Sequence, residues 1–176
     1  MAIIFQPLQE PHFPLLLKWL ETPHVKACWD QDVEWTPERV REKFGSYVQE
    51  YKLEKDAVKK PVQAYVFYID SQPAGYIQLY KARDFSRDDN TSLSGLPDSL
   101  SALNVLIGEE EYLGKGWGSH ILTQFLHEYV DPHYDACFVD PDAANIKVMR
   151  AYEKTVFKKI RTVKNETVSW MVREKK

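Results

Sequence analysis

The apolar residues of the chain change their spacing from segment to segment, and the spacing predicts a mixture of strands and helices. Ile3-Ile4-Phe5 is a short β-branched and aromatic run that predicts a first strand. From His12 to Leu20, the residues Phe13, Leu16, Leu17 and Leu20 recur at helical spacing, and Pro14 fits such a helix only in its first turn. Thr36-Pro37 reads as an N-cap followed by proline at the first helical position, and Val40, Phe44, Tyr47, Val48 and Tyr51 then form one apolar face. The charged stretch from Lys52 to Lys60 predicts a connector. Beyond it, Tyr65 to Ile69 and Gly75 to Tyr80 read as two strands of a hairpin turned by Asp70-Ser-Gln-Pro73.

The segment from Lys81 to Ser99 is rich in Asp, Ser, Gly and Asn, has no periodicity and predicts a long exposed loop, a kind that often serves a site. Ala102 to Ile107 is an apolar strand carrying one polar residue, Asn104. A turn-rich stretch from Gly108 to Gly118 follows, and then a helix over His120 to Val130 with Ile121, Leu122, Phe125, Leu126 and Tyr129 on one stripe. Ala136 to Val139 predicts a buried strand, and about Ala144 to Lys154 a helix with Ile146, Met149 and Tyr152 spaced at three. Phe157–Val163 and Thr167–Val172 predict a closing hairpin turned at Lys164-Asn165. This order gives a mixed α/β fold with one central sheet. With 176 residues and no repeat, low-complexity tract or linker, one domain over 1–176 is expected.

Composition narrows the function. No apolar run reaches the ~18–20 residues of a membrane span, and no signal-type leader opens the chain, so a soluble cytoplasmic protein without a membrane partner is expected. A formal net charge of −3 is not that of a typical nucleic-acid binder. Cys28 and Cys137 lie far apart and read as small core residues, His12 and His133 as surface residues, and His120 with His127 lack partners for a metal site. No metal is expected. The charge is segregated, however: Asp84 to Glu111 holds seven acids and one base, and Ala143 to Lys176 ten bases and three acids. Both stretches read as solvated faces, or as surfaces meeting a cationic and an anionic ligand.

The chemistry concentrates in Leu113-Gly114-Lys115-Gly116-Trp117-Gly118, between a predicted strand and a predicted helix. Glycines there let the backbone turn tightly and aim several N–H groups at one spot, where the helix adds its partial positive charge. The pattern lacks the Lys-Ser/Thr pair of a P-loop and is G-x-G-x-G where a dinucleotide fingerprint needs G-x-G-x-x-G. On the loop alone, an anion site and a turn without a ligand both stay open.

Strand, Leu-Gly-Lys-Gly-x-Gly, amphipathic helix, short strand, Asp140-Pro-x-x-x-Asn145 and a helix with Ala-Tyr-Glu-Lys, taken together, resemble the GNAT superfamily of N-acetyltransferases across essentially the whole chain. The resemblance implies a single central mixed sheet, mostly antiparallel, flanked by about four helices. It also implies acetyl-CoA as co-substrate, with Leu113, Gly114, Lys115, Gly116, Trp117, Gly118 and Ser119 as the pyrophosphate cradle. Leu113 stands where the family usually has Gln or Arg. Asn145 resembles the asparagine that contacts the pantetheine arm, a helix cap being its plainer role, and Tyr152 resembles the tyrosine that protonates the leaving thiolate. Backbone groups at Leu106 and Ile107 would stabilise the oxyanion, as the family's splayed strand does.

Within the superfamily the chain is most similar to aminoglycoside 6′-N-acetyltransferases, with acyltransferases of hydroxamate siderophore assembly second. Trp19-Leu20, His24-Val25, Trp29, the helix from Thr36, Gly75 to Tyr80, the glycine loop and Asp140 to Asn145 carry the likeness. It implies a small-molecule amine acceptor bound beside Trp29, Tyr80, Asn104 and Asp140. Asp140, Glu109 and Glu110 are candidates for the general base, with Asp84, Asp88, Asp89 and Asp98 as further acids, and Asp140 alternatively caps the turn into a helix at Pro141. Asn104 replaces the aspartate of the aminoglycoside branch, and an amide supplies neither a negative charge nor a base. A hydroxylamine acceptor and a non-catalytic acyl-CoA-binding module are the alternatives. The oligomer expected is a monomer or a homodimer.

Overall fold

A computed structural model describes residues 2–54, 56–85 and 93–175. Strand order in its eight-stranded, mostly antiparallel sheet is β1-β3-β4-β5-β6-β8-β7, with β2 paired to β3; the ranges follow. The chain divides into two compact units, Met1–Leu79 with Asn104–Leu113, and Tyr80–Leu103 with Gly114–Lys176.

The first unit begins with β1 (Ile3–Pro7), α1 (Phe13–Glu21), α2 (Pro23–Lys26) and α3 (Pro37–Val48). It continues with β2 (Tyr51–Leu53), β3 (Lys59–Ile69), β4 (Gln72–Lys81, to Leu79) and β5 (Leu100–Ile107, from Asn104). Pro14 does sit in the first turn of α1, and Thr36 caps α3 by accepting the Arg39 N–H at 3.2 Å. β1 runs antiparallel to β3 with Phe5 opposite Phe67, and a two-residue turn at Asp70 and Ser71, both with positive φ, closes the β3–β4 hairpin. Leu16, Trp19 and Leu20 of α1 and Val40 and Phe44 of α3 are fully buried with Phe67, Tyr76 and Ile77 of the strands. Phe44 is the aromatic centre of this core, with ring centroids 5.5 Å from Tyr76, 5.6 Å from Tyr47 and 6.0 Å from Trp35.

The second unit holds β6 (Ala136–Val139), β7 (Lys158–Val163) and β8 (Val168–Glu174), with α4 (Trp117–Phe125) and α5 (Ile146–Lys154). β6 pairs in parallel with Leu100, Ser101 and Ala102 of β5, and antiparallel with β8. Ala102, Ala136, Phe138, Trp170 and Val172 belong to one of its buried apolar clusters, and Ile121, Leu122 and Phe125 of α4 are buried as well. The helix α4 ends in a π-helical turn, Leu126–Val130. Asp131 just beyond accepts both arms of Arg173 at 2.7 and 3.1 Å.

The five α-helices among the described residues, one of them the four-residue α2, agree with the mixed fold and about four helices expected. Several other expectations are corrected. The 52–60 connector contains β2, so Tyr51 belongs to a strand paired with Pro61 and not to the face of α3. Cys28 is exposed. His12 is half-buried, with its Nδ1 accepting the Gln9 N–H and its Nε2 3.0 Å from the Tyr68 hydroxyl, and burial lowers its pKa. No helix starts at Pro141: α5 starts at Ile146, which is 53% exposed and outside the apolar stripe. Asp88 and Asp89 lie outside the described residues. No described helix is long and apolar enough to cross a membrane.

Candidate active site

The end of β5 is clamped from three sides within the first unit. Gly108 N–H donates to the Ala74 carbonyl at 2.7 Å, and His24 Nε2 donates to the Ile107 carbonyl at 2.8 Å. A carbonyl only accepts, so Nε2 carries the proton. Glu109 receives Lys18 Nζ at 2.9 and 3.0 Å and the Trp19 indole N–H at 2.5 Å. The hydrogen bond from Lys18, then that from Trp19, holds the Glu109 carboxyl below the usual carboxylate range. A carboxylate so engaged is a weaker proton acceptor than a free one. Glu110 is exposed, with an oxygen 4.0 Å from His24 Nδ1.

Glycine is required twice around this strand end. A Cβ at Gly75 would run into the Leu106 carbonyl and the Phe67 ring, and a Cβ at Gly108 would enter the Trp19 ring. Leu106 is buried and Ile107 half-buried.

Asn104 joins a polar cluster one strand away. Tyr76 and Gln78, two residues apart on β4, share a face of the strand. The Tyr76 hydroxyl donates to Gln78 Oε1 at 2.6 Å, and Gln78 Nε2 donates to Asn104 Oδ1 at 3.0 Å. The half-buried Trp29 meets Tyr76 edge to face with centroids 6.3 Å apart, so the structure brings Trp29 and Asn104 into one cluster through two intervening residues. The segment Gly75 to Tyr80 carries part of the family likeness and Tyr76 reads as a core aromatic, but the link from Tyr76 through Gln78 to Asn104 is not read from sequence. Their signal was present as Tyr76, Gln78 and Tyr80 at period two, concealed in an otherwise apolar strand.

The second unit carries the glycine loop and the residues after β6. Gly114 and Gly116 have φ of +72° and +81°, left-handed conformations that glycine adopts without strain. An added Cβ at either meets nothing within 4 Å. Gly116 is the N-cap of α4 and supplies no side-chain cap, so the first-turn N–H groups retain their capacity for an anion. Ser119 Oγ donates to the Gly116 carbonyl at 3.0 Å, and Trp117 packs edge to face on His120. Gly118 comes close to Ala151 of α5, 3.3 Å from where its Cβ would lie. Lys115 is exposed, and Leu113, the last residue of the first unit, donates its N–H to the Glu110 carbonyl at 3.0 Å.

Asn145 is the N-cap of α5, its Oδ1 accepting the Val148 N–H at 3.3 Å. The turn before it is capped by Asp142, whose Oδ1 accepts the Ala144 N–H at 2.8 Å. Two turns along α5, Tyr152 is 4% exposed and lies 5.1 Å from the Phe157 ring. Burial first, and then the charges of Cys137, Asp140 and Tyr80, push its hydroxyl well above the ordinary tyrosine value. Asp140 and Tyr80 therefore belong with Tyr152 electrostatically, and Tyr80 itself packs edge to face on Phe85 at 5.2 Å. Among the described residues no cluster of His, Cys, Asp and Glu is arranged to hold a metal ion.

The model of one protein family, described as "Acetyltransferase (GNAT) domain", matches residues 9–165. Two curated relatives, the type 1 aminoglycoside N(6′)-acetyltransferases of Klebsiella pneumoniae and Serratia marcescens, are each 24% identical over 163 residues, covering 92% of this chain and 77% of theirs. Among solved structures, AAC(6′)-Ib in complex with ribostamycin and coenzyme A superposes with a TM-score of 0.80 at 22% identity, covering 99% of this chain and 94% of that one. An aminoglycoside N(6′)-acetyltransferase of Legionella pneumophila gives a TM-score of 0.67 at 17% identity, covering 98% and 92%. These structural likenesses establish the fold.

Proposed function

The chain belongs to the acetyltransferase (GNAT) domain family, and from that premise we propose that it transfers an acetyl group from acetyl-CoA to a primary amine of a small polyamino acceptor of the aminoglycoside 6′ type. The two curated relatives act in this class by name, and the reading treats residues 1–176 as one catalytic domain. The observation that carries it is the left-handed turn at Gly114 and Gly116, which brings the chain into α4 with no side-chain cap from its N-cap residue. Such an N-terminus suits a pyrophosphate, and the open space around both glycines suits a backbone cradle.

Backbone N–H groups from Gly114 to Ser119 would hold the pyrophosphate, with Leu113 leading in and the exposed Lys115 adding charge. Asn145 spends its carbonyl oxygen on the cap of α5 and keeps its amide NH₂ for the pantetheine arm. Backbone groups of Leu106 and Ile107 would steady the developing oxyanion, their strand held by His24. Acetyl-CoA supplies the activated acyl thioester.

The chain's own residues then have two proton problems. An alkyl amine with a reference pKa of ~10.4 lies ~3.4 units above neutrality, so freeing it costs ~4.6 kcal/mol at pH 7. With Glu109 engaged, Asp140 is the carboxylate favoured to receive that proton. Tyr152 meets the leaving thiolate at the other end. A thiol of reference pKa ~8.5 is a stronger acid than this raised phenol, so Tyr152 steadies the departing thiolate by donating its O–H as a hydrogen bond, and any proton passed to the sulfur is replaced by the one the amine releases. No covalent enzyme intermediate is required.

The neutral Asn104 favours a second reading, in which the acceptor is a weakly basic hydroxylamine of siderophore assembly. Release of free thiol from acetyl-CoA on adding a kanamycin-type amine tests the first reading. Release with a hydroxylamine alone would favour the second.

A further inference from the structure

The hydrogen-bond chain of β4 and β5 has a direction, and the direction is set at its buried end. Tyr76 is 0% exposed, and burial pushes its hydroxyl well above the ordinary tyrosine value, so it always carries a proton to give. Gln78 Oε1 takes that proton at 2.6 Å. Turning the Gln78 amide round would leave a buried donor unmatched. Gln78 therefore shows its NH₂ to Asn104, and Asn104 meets it with Oδ1 at 3.0 Å. Turning Asn104 instead would set NH₂ against NH₂. Asn104 is left with an Nδ2 group that carries donors, no acceptor and no charge.

Three carboxylates of the same unit, Glu109, Asp30 and Glu110, are engaged or exposed elsewhere. Both oxygens of Glu109 are taken by Lys18 and Trp19, Asp30 is paired with Lys43 at 2.7 Å, and Glu110 is exposed beside His24. An ammonium placed on Asn104 Nδ2 would meet donor with donor. A free amine or a hydroxyl would meet it with a lone pair.

We infer that Tyr76 and Gln78 are positioning residues that make Asn104 a hydrogen-bond donor to the acceptor, so that the acceptor is bound through a neutral lone pair, of its free amine or of a neighbouring hydroxyl, and not as an ammonium. This rests on the reading of Asn104 as an acceptor-binding residue. It assigns the substrate class as amino alcohols and weakly basic amines that meet Asn104 through an uncharged group. It also reverses the polarity that an aspartate would give at this position.

Two substitutions change that polarity by separate routes. Asn104→Asp keeps the bond from Gln78 and leaves a carboxylate oxygen over. Gln78→Glu accepts from both Tyr76 and Asn104 Nδ2, which turns Asn104 and leaves its Oδ1 over. Binding of kanamycin to the full chain is measured by calorimetry from pH 6 to 8.5, with thermal unfolding to identify the folded variants. Wild type is expected to bind more tightly as the pH rises. Each folded variant is expected to bind about tenfold more tightly than wild type at pH 7 and to lose that pH dependence. Folded variants that stay within twofold of wild type with an unchanged pH dependence overturn the inference. If wild type releases no thiol with any amine while the variants bind more tightly, the transferase reading fails and this inference stands. Thiol release by wild type with unaltered binding in the variants is the reverse result.

Discussion

Trp19 donates its indole N–H to Glu109 while the same ring fills the space where a Cβ of Gly108 would lie. One buried side chain thus holds the segment after β5 through a hydrogen bond and a steric contact. Because β5 carries Asn104, Leu106 and Ile107, this clamp on α1 reaches the residues assigned to the acceptor and the acetyl group.

The contact at Gly108 makes that position sensitive to the smallest addition. Gly108→Ala forces either the Trp19 ring or the backbone to move, and overpacking of this kind costs about 1–3 kcal/mol. Denaturant unfolding should show the loss, and acetyl transfer should fall with it because the end of β5 shifts. Unchanged stability would show that Trp19 yields freely.

The bond at Glu109 separates its two partners. Glu109→Gln keeps an acceptor for the buried indole and loses only the attraction of an exposed lysine, so its cost at neutral pH should stay below ~1 kcal/mol. Glu109→Leu strands the Trp19 N–H and should cost ~1–3 kcal/mol. The depressed Glu109 pKa adds a sign. Its contribution is present above the unfolded carboxylate value of ~4.3 and is lost as pH falls through the lower folded value. Acid unfolding curves of wild type and Glu109→Gln should therefore converge as the pH falls from the unfolded value through the lower folded one.

Tyr152→Phe removes the proton donor and keeps the ring against Phe157. We expect kcat to fall by about 10²-fold or more, with acetyl-CoA affinity nearly unchanged. The raised Tyr152 pKa also predicts that no loss of kcat between pH 8 and 10 comes from its ionisation. The neutral phenol is the form the fold favours, so its contribution to stability is full below the unfolded value of ~10 and declines as pH rises beyond it. A pH–rate profile and alkaline unfolding check the two statements.

Gly116 has φ of +81° at the N-cap of α4. Gly116→Ala should cost ~1–2 kcal/mol in backbone strain and weaken acetyl-CoA binding about tenfold, read by calorimetry. Gly116→Asn should be milder, since asparagine tolerates the left-handed region.

Much of the fold was legible because local signals agreed with their surroundings. Thr36 and Pro37 begin α3 as their chemistry dictates, and the period-two strands pair as expected. Legibility failed where tertiary pairing outweighed local pattern. Lys52 and Lys59 look like solvated connector residues, yet backbone pairing with β3 makes that stretch a hairpin. Asp140 reads as the cap of this turn on paper, and the backbone path gives the Ala144 N–H to Asp142. The glycine loop was legible from its residue types. The Tyr76–Gln78–Asn104 chain was not, since it depends on which strands are neighbours, 26 residues apart in the case of Gln78 and Asn104. The roles of Lys18, Trp19 and Glu109 as a clamp were hidden for the same reason, with α1 and Glu109 about ninety residues apart.

Product analysis by mass spectrometry, after incubating the protein with acetyl-CoA and a kanamycin-type amine, tests the central claim most directly. The account requires one acetyl group added to the 6′-amine for each thiol released, in wild type but strongly reduced in Tyr152→Phe. Tight acetyl-CoA binding with neither acetylated product nor free thiol, across aminoglycosides, simple polyamines and hydroxylamines, would contradict it and leave a non-catalytic acyl-CoA-binding module.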